Sequence, residues 1–340
     1  MGQLDYGAYD REVYEKELKD FLPDRIIDLH THVGKAGFES VGKSNGGSTW
    51  TACLGAELLV ENLLSAYETM FPDQQVTPVI FGDCDHRIDQ VNGYVYESGL
   101  KYGLPTLYRT SYEMSGEELE EKIKAGGFLG IKPYLTFCPP YIPAGEIRIY
   151  DFLPHEHLEV CDRNGWIVML HIPRAGRLKD PVNLAQLMEI EERYPNLKLV
   201  VAHIGRAYAK EDMGNAFEIL GKTRNMYFDF TANVCDDAIK ACLEAVGPER
   251  LLFGSDLPIA FMRMYRIVEN GVYYNVVPRG LYGKVEGEPH MRETDEKEVT
   301  LMIYEQLLAF KRCARELKLS DSQVESVLYG NAAKLLGLKG

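Results

Sequence analysis

The chain has 340 residues, of which 46% are hydrophobic and 26% are charged, so it can bury a sizeable core in one large or two ordinary domains. Its 51 acidic residues outnumber the 37 basic ones, and the net charge of −14 argues against binding to nucleic-acid backbones or anionic membranes. No run is long and apolar enough to span a bilayer, and the charged N-terminus lacks the apolar core of a signal peptide.

Short apolar runs alternate with amphipathic stretches along the chain, which predicts strands separated by helices. Several runs consist almost entirely of Val, Ile and Leu, as is typical of parallel strands covered on both faces. Helices are predicted at 115–126, where Ser115 and Glu118 suit a capping box, and at 181–195. The predicted strands are 25–30, 77–82, 105–110, 129–135, 166–171, 197–203, 226–231 and 250–256.

The spacing of the later strands indicates the fold class. Their C-terminal ends follow one another at intervals of roughly thirty residues, which is about the length of one β–α unit. Eight such units favour an α/β fold of the distorted (β/α)₈ TIM-barrel type, with parallel strands, over an open doubly wound sheet. No linker divides the chain, so residues 1–340 are predicted to form a single domain.

Two insertions interrupt this rhythm at the C-terminal ends of strands, the face where such barrels keep their active sites. Residues 33–53 form a Gly/Ser-rich loop after the first strand. Residues 257–298 form a long segment rich in Tyr and Arg after strand 8. A segment of that length is predicted to be a lid over the pocket or a contact with a second subunit of a homo-oligomer.

The stretch "GFESVGKS" (37–44) matches the phosphate-binding pattern G-x-x-x-x-G-K-[ST]. A working phosphate loop needs a helix to begin directly after it, and "NGGSTW" is a poor first helical turn. The first strand also ends too early to feed the loop. We therefore expect a surface loop here.

A histidine pair, "HTH" at 30–32, lies five residues upstream. Residues two apart in a strand point to the same face, about 6.6 Å apart, so Asp28, His30 and His32 should project together while Leu29 and Thr31 face the helices. Two imidazoles at that separation can converge on one metal ion. A single such pair is weak evidence by itself.

The prediction of a metal site is stronger because polar residues recur at the ends of other predicted strands. His171 and His203 each end an apolar strand, and Asp256 ends "RLLFGSD". Core packing gives no reason to place these groups at strand ends, and a buried carboxylate without a partner is costly. A bound metal would remove that cost, so the sequence predicts a metal site.

These motifs resemble the amidohydrolase superfamily over residues 25–338. The resemblance rests on "DLHTH" after the first strand, "GIK" on the fourth, histidines on the fifth and sixth, and "FGSD" on the eighth. The C-terminal "VLYGNAAKLLGL" is similar to the last helix of the amidohydrolase-related branch. That branch includes lactonases of sugar acids and pyrone dicarboxylates as well as aminocarboxymuconate semialdehyde and resorcylate decarboxylases.

The resemblance implies a role for each of the matching residues. His30, His32, His171 and Asp256 would bind one divalent metal, Zn²⁺ or alternatively Mn²⁺. His203 and Asp256 would be catalytic. Lys132 stands where binuclear members carry a carboxylated lysine, and it could equally be an ordinary ammonium or pair with a carboxylate.

Four further residues follow or lie beside the strand ends, and their chemistry suits an acidic substrate. Each of the arginines could instead form a structural salt bridge. His155 and His157 are read as surface residues, whereas the roles of His86 and His290 stay open. The predicted substrate-binding residues are Arg109, Tyr134, Arg174 and Arg206.

Together these features predict a metal-dependent hydrolase that acts on a small carboxylated lactone, ester or amide through metal-activated water. Asp256 would accept the proton, and His203 and Lys132 would stabilise the oxyanion. A metal-dependent non-oxidative decarboxylase of a small unsaturated or aromatic acid is the alternative, and a metal-dependent deoxyribonuclease is a remote one. Seven scattered cysteines without CxxC spacing predict free thiols and a cytoplasmic location.

Overall fold

The structure is a computed structural model that describes residues 4–38, 57–84, 87–283, 285 and 287–338. All eight predicted strands are present in these ranges, most of them shorter than predicted, and neighbouring strands pair in parallel. They are β1 (Arg25–Val33), β2 (Gln75–Gly82), β3 (Tyr108–Arg109), β4 (Gly130–Lys132), β5 (Ile167–Leu170), β6 (Lys198–Val201), β7 (Tyr227–Asp229) and β8 (Leu251–Leu252).

Backbone hydrogen bonds join these strands into a ring. Strands β3 to β8 form one sheet in chain order, and β1 pairs with β2. Leu107 N donates to Ile80 O at 3.1 Å, which links β2 to β3. Asp256 N donates to His30 O, and His32 N donates to Leu257 O, both at 2.9 Å, which links the end of β8 to β1. The predicted distorted (β/α)₈ barrel is confirmed.

One short helix precedes the first strand, and the other helices lie between the strands or after them. Helix Gly116–Gly126 begins at Ser115, whose side chain accepts from Glu118 N as predicted, and helix Pro181–Arg193 begins at Asp180. None of the described helices is long and apolar enough to cross a membrane. The helices are α1 (Ala8–Val13), α2 (Val60–Met70), α3 (Ile88–Tyr102), α4 (Gly116–Gly126), α5 (His155–Asn164), α6 (Pro181–Arg193), α7 (His203–Arg206), α8 (Ala216–Leu220), α9 (Asp236–Val246), α10 (Met302–Glu316), α11 (Asp321–Glu325) and α12 (Asn331–Leu336).

Apolar side chains from β1, β2, β5, β6 and β8 meet in one cluster, which fills the barrel interior and includes residues such as Leu29 and Phe81. Helix α12 contributes Ala332 and Leu336 to this cluster, while Asn331 donates to the carbonyls of Pro248 and Leu251. The final helix therefore covers the N-terminal end of the barrel. The polar residues that follow the strands lie at the opposite, C-terminal end of the barrel.

A β-bulge in β1 changes the predicted side-chain directions. The register against β2 shifts between Asp28 and Thr31. Asp28 turns to helix α2, where it accepts from Tyr67 at 2.6 Å, and Leu29 joins the interior cluster. The prediction that Asp28 shares a face with His30, while Leu29 faces the helices, was wrong because a bulge inserts an extra residue into the alternation.

The segment after β8 forms a small sheet of its own. Its strands are β9 (Tyr265–Glu269), β10 (Val272–Pro278) and β11 (Met291–Thr294), with β10 in the centre. Strand β10 runs antiparallel to β9 and parallel to β11. The predicted insertion after strand 8 is confirmed as an ordered element. Its role as a lid or subunit contact, like the single-domain assignment for residues 1–340, stays a prediction.

Candidate metal centre

Three predicted site residues converge at the C-terminal end of the barrel. His30 comes from β1, His203 follows β6 and Asp256 follows β8. One potential ligand atom from each lies within 4.8 Å of the others. These three residues are far apart in the sequence, and the ring of strands brings them together.

His32 belongs to the same cluster through Asp256. Its Nε2 lies 2.9 Å from Asp256 Oδ1, and His30 Nε2 lies 3.5 Å from the same oxygen. Zn–N and Zn–O bonds of about 2.0–2.1 Å place neighbouring tetrahedral ligands about 3.3 Å apart. The separation of His30 from Asp256 is close to that spacing, so both groups could hold one ion.

Hydrogen bonds to the other ring nitrogens fix how the imidazoles are presented. His203 Nδ1 lies 2.8 Å from the carbonyl of Thr231, which can only accept, so Nδ1 carries the proton. His30 Nδ1 lies 3.1 Å from Asp229 Oδ2, a carboxylate that also accepts two backbone N–H groups. Both rings therefore direct an Nε2 lone pair into the cluster.

Tyr134 fixes the tautomer of His32 so that its Nε2 lone pair also points into the cluster. Its hydroxyl donates its one proton to Gly82 O at 2.8 Å and lies 3.0 Å from His32 Nδ1. The ring nitrogen must then donate to the hydroxyl oxygen, which leaves a lone pair on Nε2 in the neutral ring. A lone pair 2.9 Å from a carboxylate is repulsive unless a cation, either a proton or a metal ion, lies between them.

Burial favours the neutral form of His30 and His171, which is the form that metal binding requires. Removal from water, followed by the charge of Lys132, lowers the pKa of His30 well below its usual value. Burial, followed by the nearby His203, does the same to the pKa of His171. Burial would raise the pKa of Asp256, but the hydrogen bond with His32 and the neighbouring histidines outweigh it and hold this pKa below the usual range. The donor set fits a divalent metal.

His171, a predicted ligand, lies at the edge of the cluster. Its ring centre is 4.7 Å from that of His203, and it is not part of the three-residue group within 4.8 Å. Its Nδ1 is buried and has no hydrogen-bond partner among the described residues. Orphaned buried polar atoms are rare in folded proteins, so a ligand outside the protein chain is a reasonable partner for this ring.

Lys132 lies fully inside the site. Its Nζ is 3.3 Å from His30 Nε2, and burial lowers its pKa to about 8. No carboxylate in the described ranges comes within salt-bridge distance of the ammonium, which speaks against the ion-pair reading of this residue. The ring faces of Phe81 and Tyr134 lie 5.3 and 5.4 Å from Nζ. A lysine held this way places a donor next to the ligand cluster.

The four predicted substrate-binding residues differ in their surroundings. Arg109 is buried beside Lys132, donates to Asp83 O at 2.9 Å and lies over the Phe137 ring. Tyr134 contacts His32 as described. Arg174 pairs with Asp180 at 3.2 Å and with Glu146 at 3.4 Å. Arg206 donates to the carbonyls of Ile172 and Pro173. The last two arginines thus have structural partners.

Sequence patterns missed Asp229, a fully buried residue at the end of β7. Its carboxylate orients His30 and also accepts from His203 N at 2.7 Å, so it supports two residues of the cluster at once. Asp229 lies within the predicted strand 226–231, and its place at a strand end, like those of His171 and His203, is the signal that could have found it.

Two other histidines lie away from the centre. His157 is 0% exposed and its Nε2 contacts Met114 O at 2.7 Å, so its prediction as a surface residue was wrong. The helix that carries it, α5, packs against α4. His155 is half-buried and contacts the Tyr194 hydroxyl. His86, and most of the phosphate-loop pattern at 37–44, lie outside the described residues, so the expectation of a surface loop stays a prediction.

The insertion reaches this end of the barrel through a group that we call the Arg/Tyr cluster. Tyr208, which follows α7, has its ring centre 6.4 Å from that of His203 and 5.0 Å from that of Tyr273 on β10. His290 stacks on Tyr273 with ring centres 4.2 Å apart. The cluster consists of Arg177, Tyr208, Arg266, Tyr273 and His290.

The protein-family model described as Amidohydrolase matches residues 98–338, which is more than half of the chain. The chain belongs to the amidohydrolase family. The match contains His171, His203 and Asp256, while His30 and His32 precede it in the chain and meet Asp256 where the barrel closes. No curated protein gives a significant match.

Solved structures of other proteins share the fold. A probable 2-pyrone-4,6-dicarboxylic acid hydrolase from Acinetobacter baumannii, with citric acid bound, is 17% identical over 92% of this chain and 99% of that chain, with a TM-score of 0.58. An amidohydrolase from Burkholderia multivorans with bound Zn is 14% identical over 92% and 99%, with a TM-score of 0.62. The 5-carboxyvanillate decarboxylase from Sphingomonas paucimobilis is 12% identical over 93% and 100%, with a TM-score of 0.55.

Proposed function

We propose that this amidohydrolase is a metal-dependent hydrolase of a small carboxylated lactone, ester or amide. The observation that carries the proposal is the set of inward Nε2 lone pairs of His30, His32 and His203 around the Asp256 carboxylate. Such a set binds a divalent cation. Zn²⁺ is the favoured ion and Mn²⁺ the alternative; a Zn-bound structure with the same fold supports the first choice.

The proposed ligands are His30, His32, His171 and Asp256, and His203 lies close enough to join or replace one of them. A bound divalent cation supplies Lewis acidity and lowers the pKa of water in its shell. The chain's own groups then move the protons. Asp256, held as a carboxylate, accepts a proton and returns it to the leaving group.

The proposed role of His203 changes with its tautomer. Its Nδ1 proton is bound to Thr231 O, so the neutral ring has no proton on Nε2 to give to an oxyanion. We infer that His203 acts as a ligand or a proton acceptor. Stabilisation of the oxyanion then falls to Lys132, whose ammonium lies beside the cluster without a carboxylate partner in the described ranges.

A non-oxidative decarboxylase is the second candidate, because decarboxylases share this fold. That reaction needs a group that protonates the carbon from which CO₂ leaves. The two nearest candidates are His203, with its lone pair inward, and the ionised Asp256. Both are arranged to accept a proton, and this arrangement favours hydrolysis.

The proposed substrate is a small acid, with Arg109 as the buried cation at the end of β3. We further propose that the enzyme works in the cytoplasm without a nucleic-acid or membrane partner, in keeping with its net charge of −14. Assembly into a homo-oligomer through the insertion is also part of this proposal.

Turnover of a panel of carboxylated lactones, esters and amides by the zinc-loaded protein tests the proposal. Acid release and CO₂ release are followed in parallel. We expect acid release without CO₂, loss of turnover and of bound metal in His30→Ala and Asp256→Asn, and normal turnover in the matched control His155→Gln. CO₂ release from unsaturated or aromatic acids would support the decarboxylase instead. Unchanged metal content and activity in both variants would refute the metal centre.

A further inference from the structure

Arg266 occupies an unusual position in the Arg/Tyr cluster. It lies on β9 of the insertion, and its guanidinium carbon is 4.9 Å from the ring centres of both Tyr208 and Tyr273. Tyr208 in turn neighbours His203. One aromatic ring therefore separates this cation from the metal centre.

The hydrogen bonds of Arg266 leave one nitrogen without a partner. Its Nε donates to Asn275 Oδ1 at 2.9 Å, and Nη2 donates to Ala232 O at 3.3 Å. Its Nη1 is buried and has no partner among the described residues. No described carboxylate lies within salt-bridge distance. A guanidinium stays charged in a protein, so the charge of Arg266 lacks a carboxylate partner and the donors on Nη1 lack an acceptor among the described residues.

Arg177, the other arginine of the cluster, gives a direct contrast. It lies over the same two rings, at 5.5 and 4.8 Å from their centres. Its Nη1 pairs with Asp212 at 2.6 Å, and its Nη2 lies 3.3 Å from His290 Nε2. His290 Nδ1 contacts Tyr273 O, so its Nε2 is free to accept. Of the two guanidinium groups, only that of Arg177 has a carboxylate partner among the described residues, so the cluster carries excess positive charge.

We propose that Arg266 binds a second carboxylate of the substrate, remote from the bond that is cleaved. A carboxylate is planar, accepts from a guanidinium fork and neutralises its charge, which matches the two needs of Arg266. Solvent does not reach Nη1. The carboxylate therefore takes the place of the Tyr208 or Tyr273 ring, which now covers one side of the guanidinium. This inference rests on the proposed function for the other end of the substrate.

Binding of two simple probes tests this subsite without turnover. Isophthalate carries two carboxylates on a ring, and benzoate carries one. Calorimetry on the zinc-loaded wild type should give an isophthalate Kd about ten- to a hundredfold below that of benzoate, the gain typical of a charge-assisted hydrogen bond. Arg266→Gln should remove this preference and leave the benzoate Kd unchanged. Arg279→Gln, at an exposed arginine of the same insertion paired with Asp295 and Glu293, should keep it.

An equal weakening of both probes in Arg266→Gln would show a purely structural cation and overturn the proposal, as would an unchanged preference. If that variant does not fold, Arg266→Lys keeps a positive charge but loses the fork. A preference reduced severalfold in Arg266→Lys supports the subsite, and an unchanged one overturns it. A wild type that prefers isophthalate but turns over no lactone, ester or amide would refute the proposed function and leave the subsite standing.

Discussion

At the scale of single residues, the candidate metal centre depends on groups that lie behind the histidines. Thr231 O, Asp229 and Tyr134 each engage the outer nitrogen of one histidine and so choose which nitrogen faces inward. Such partners raise the affinity of a ligand set by fixing ring orientation. By its contacts Tyr134 is assigned to this class, and its predicted contact with the substrate stays a prediction.

Tyr134→Phe tests that assignment. The variant removes the oxygen that accepts from His32 Nδ1 and keeps the ring that lines the site. We expect the Kd for Zn²⁺ to rise about ten- to a hundredfold, as is typical when such a partner is lost. Competition with a chromophoric chelator measures it. Tyr274→Phe, on the insertion, is the control with an unchanged Kd, and equal affinities in wild type and Tyr134→Phe would contradict the assignment.

Lys132 makes the stability of the metal-free protein depend on pH. Burial lowers its pKa from 10.5 to about 8, so between these values the unfolded chain holds a proton that the folded chain lacks. The free energy of unfolding should therefore rise with pH across this window, by up to about 3 kcal/mol. Below pH 8 the buried ammonium is a cost to the folded state.

Urea unfolding of the metal-free protein from pH 7 to 10.5 measures this contribution. Lys132→Met should be more stable than the wild type at pH 7, and the difference should vanish towards pH 10.5. Lys122→Met, at a half-buried lysine of α4, should behave as the wild type does. A carboxylated Lys132 has no amine to titrate in this way, so a pH-independent difference would favour carboxylation.

At the scale of elements, local patterns were informative wherever neighbouring residues decide the structure. The eight apolar runs, the Ser115 cap and the histidines at strand ends were predictable because each depends on short-range periodicity. The β-bulge in β1 was not, because it depends on how His30 and Asp28 fit against β8 and helix α2. The small sheet of the insertion was missed because aromatic and arginine content does not fix strand pairing.

The insertion is expected to control access to the metal centre. Replacing residues 273–283 with a short Gly/Ser linker removes β10, the central strand of its sheet, together with Tyr273. None of the proposed ligands lies there, so bound zinc should be retained. We expect kcat/KM to fall by about a hundredfold, since loss of positioning and of water exclusion costs that much. Metal analysis and steady-state kinetics measure both effects, and wild-type kinetics would refute the role.

At the scale of the whole molecule, the parts of the site that could be predicted are those that strand order brings together. The fold class and the convergence of His30, His203 and Asp256 follow from eight parallel units. Contacts between irregular segments that are distant in the sequence could not be predicted. Asp10 of α1 is fully buried and pairs with Arg263 of the insertion at 2.6 Å, a link for which the sequence gives no periodic signal.

The bonds that close the barrel, between the end of β8 and β1, set a time order for assembly of the site. His30 and His32 leave the ribosome early, but their partner Asp256 is more than two hundred residues further along the chain. At about 5–20 residues per second, more than ten seconds separate their synthesis. The nascent chain therefore carries an exposed histidine pair long before it has a complete site, and selective metal loading becomes a late event that follows docking of the last strand.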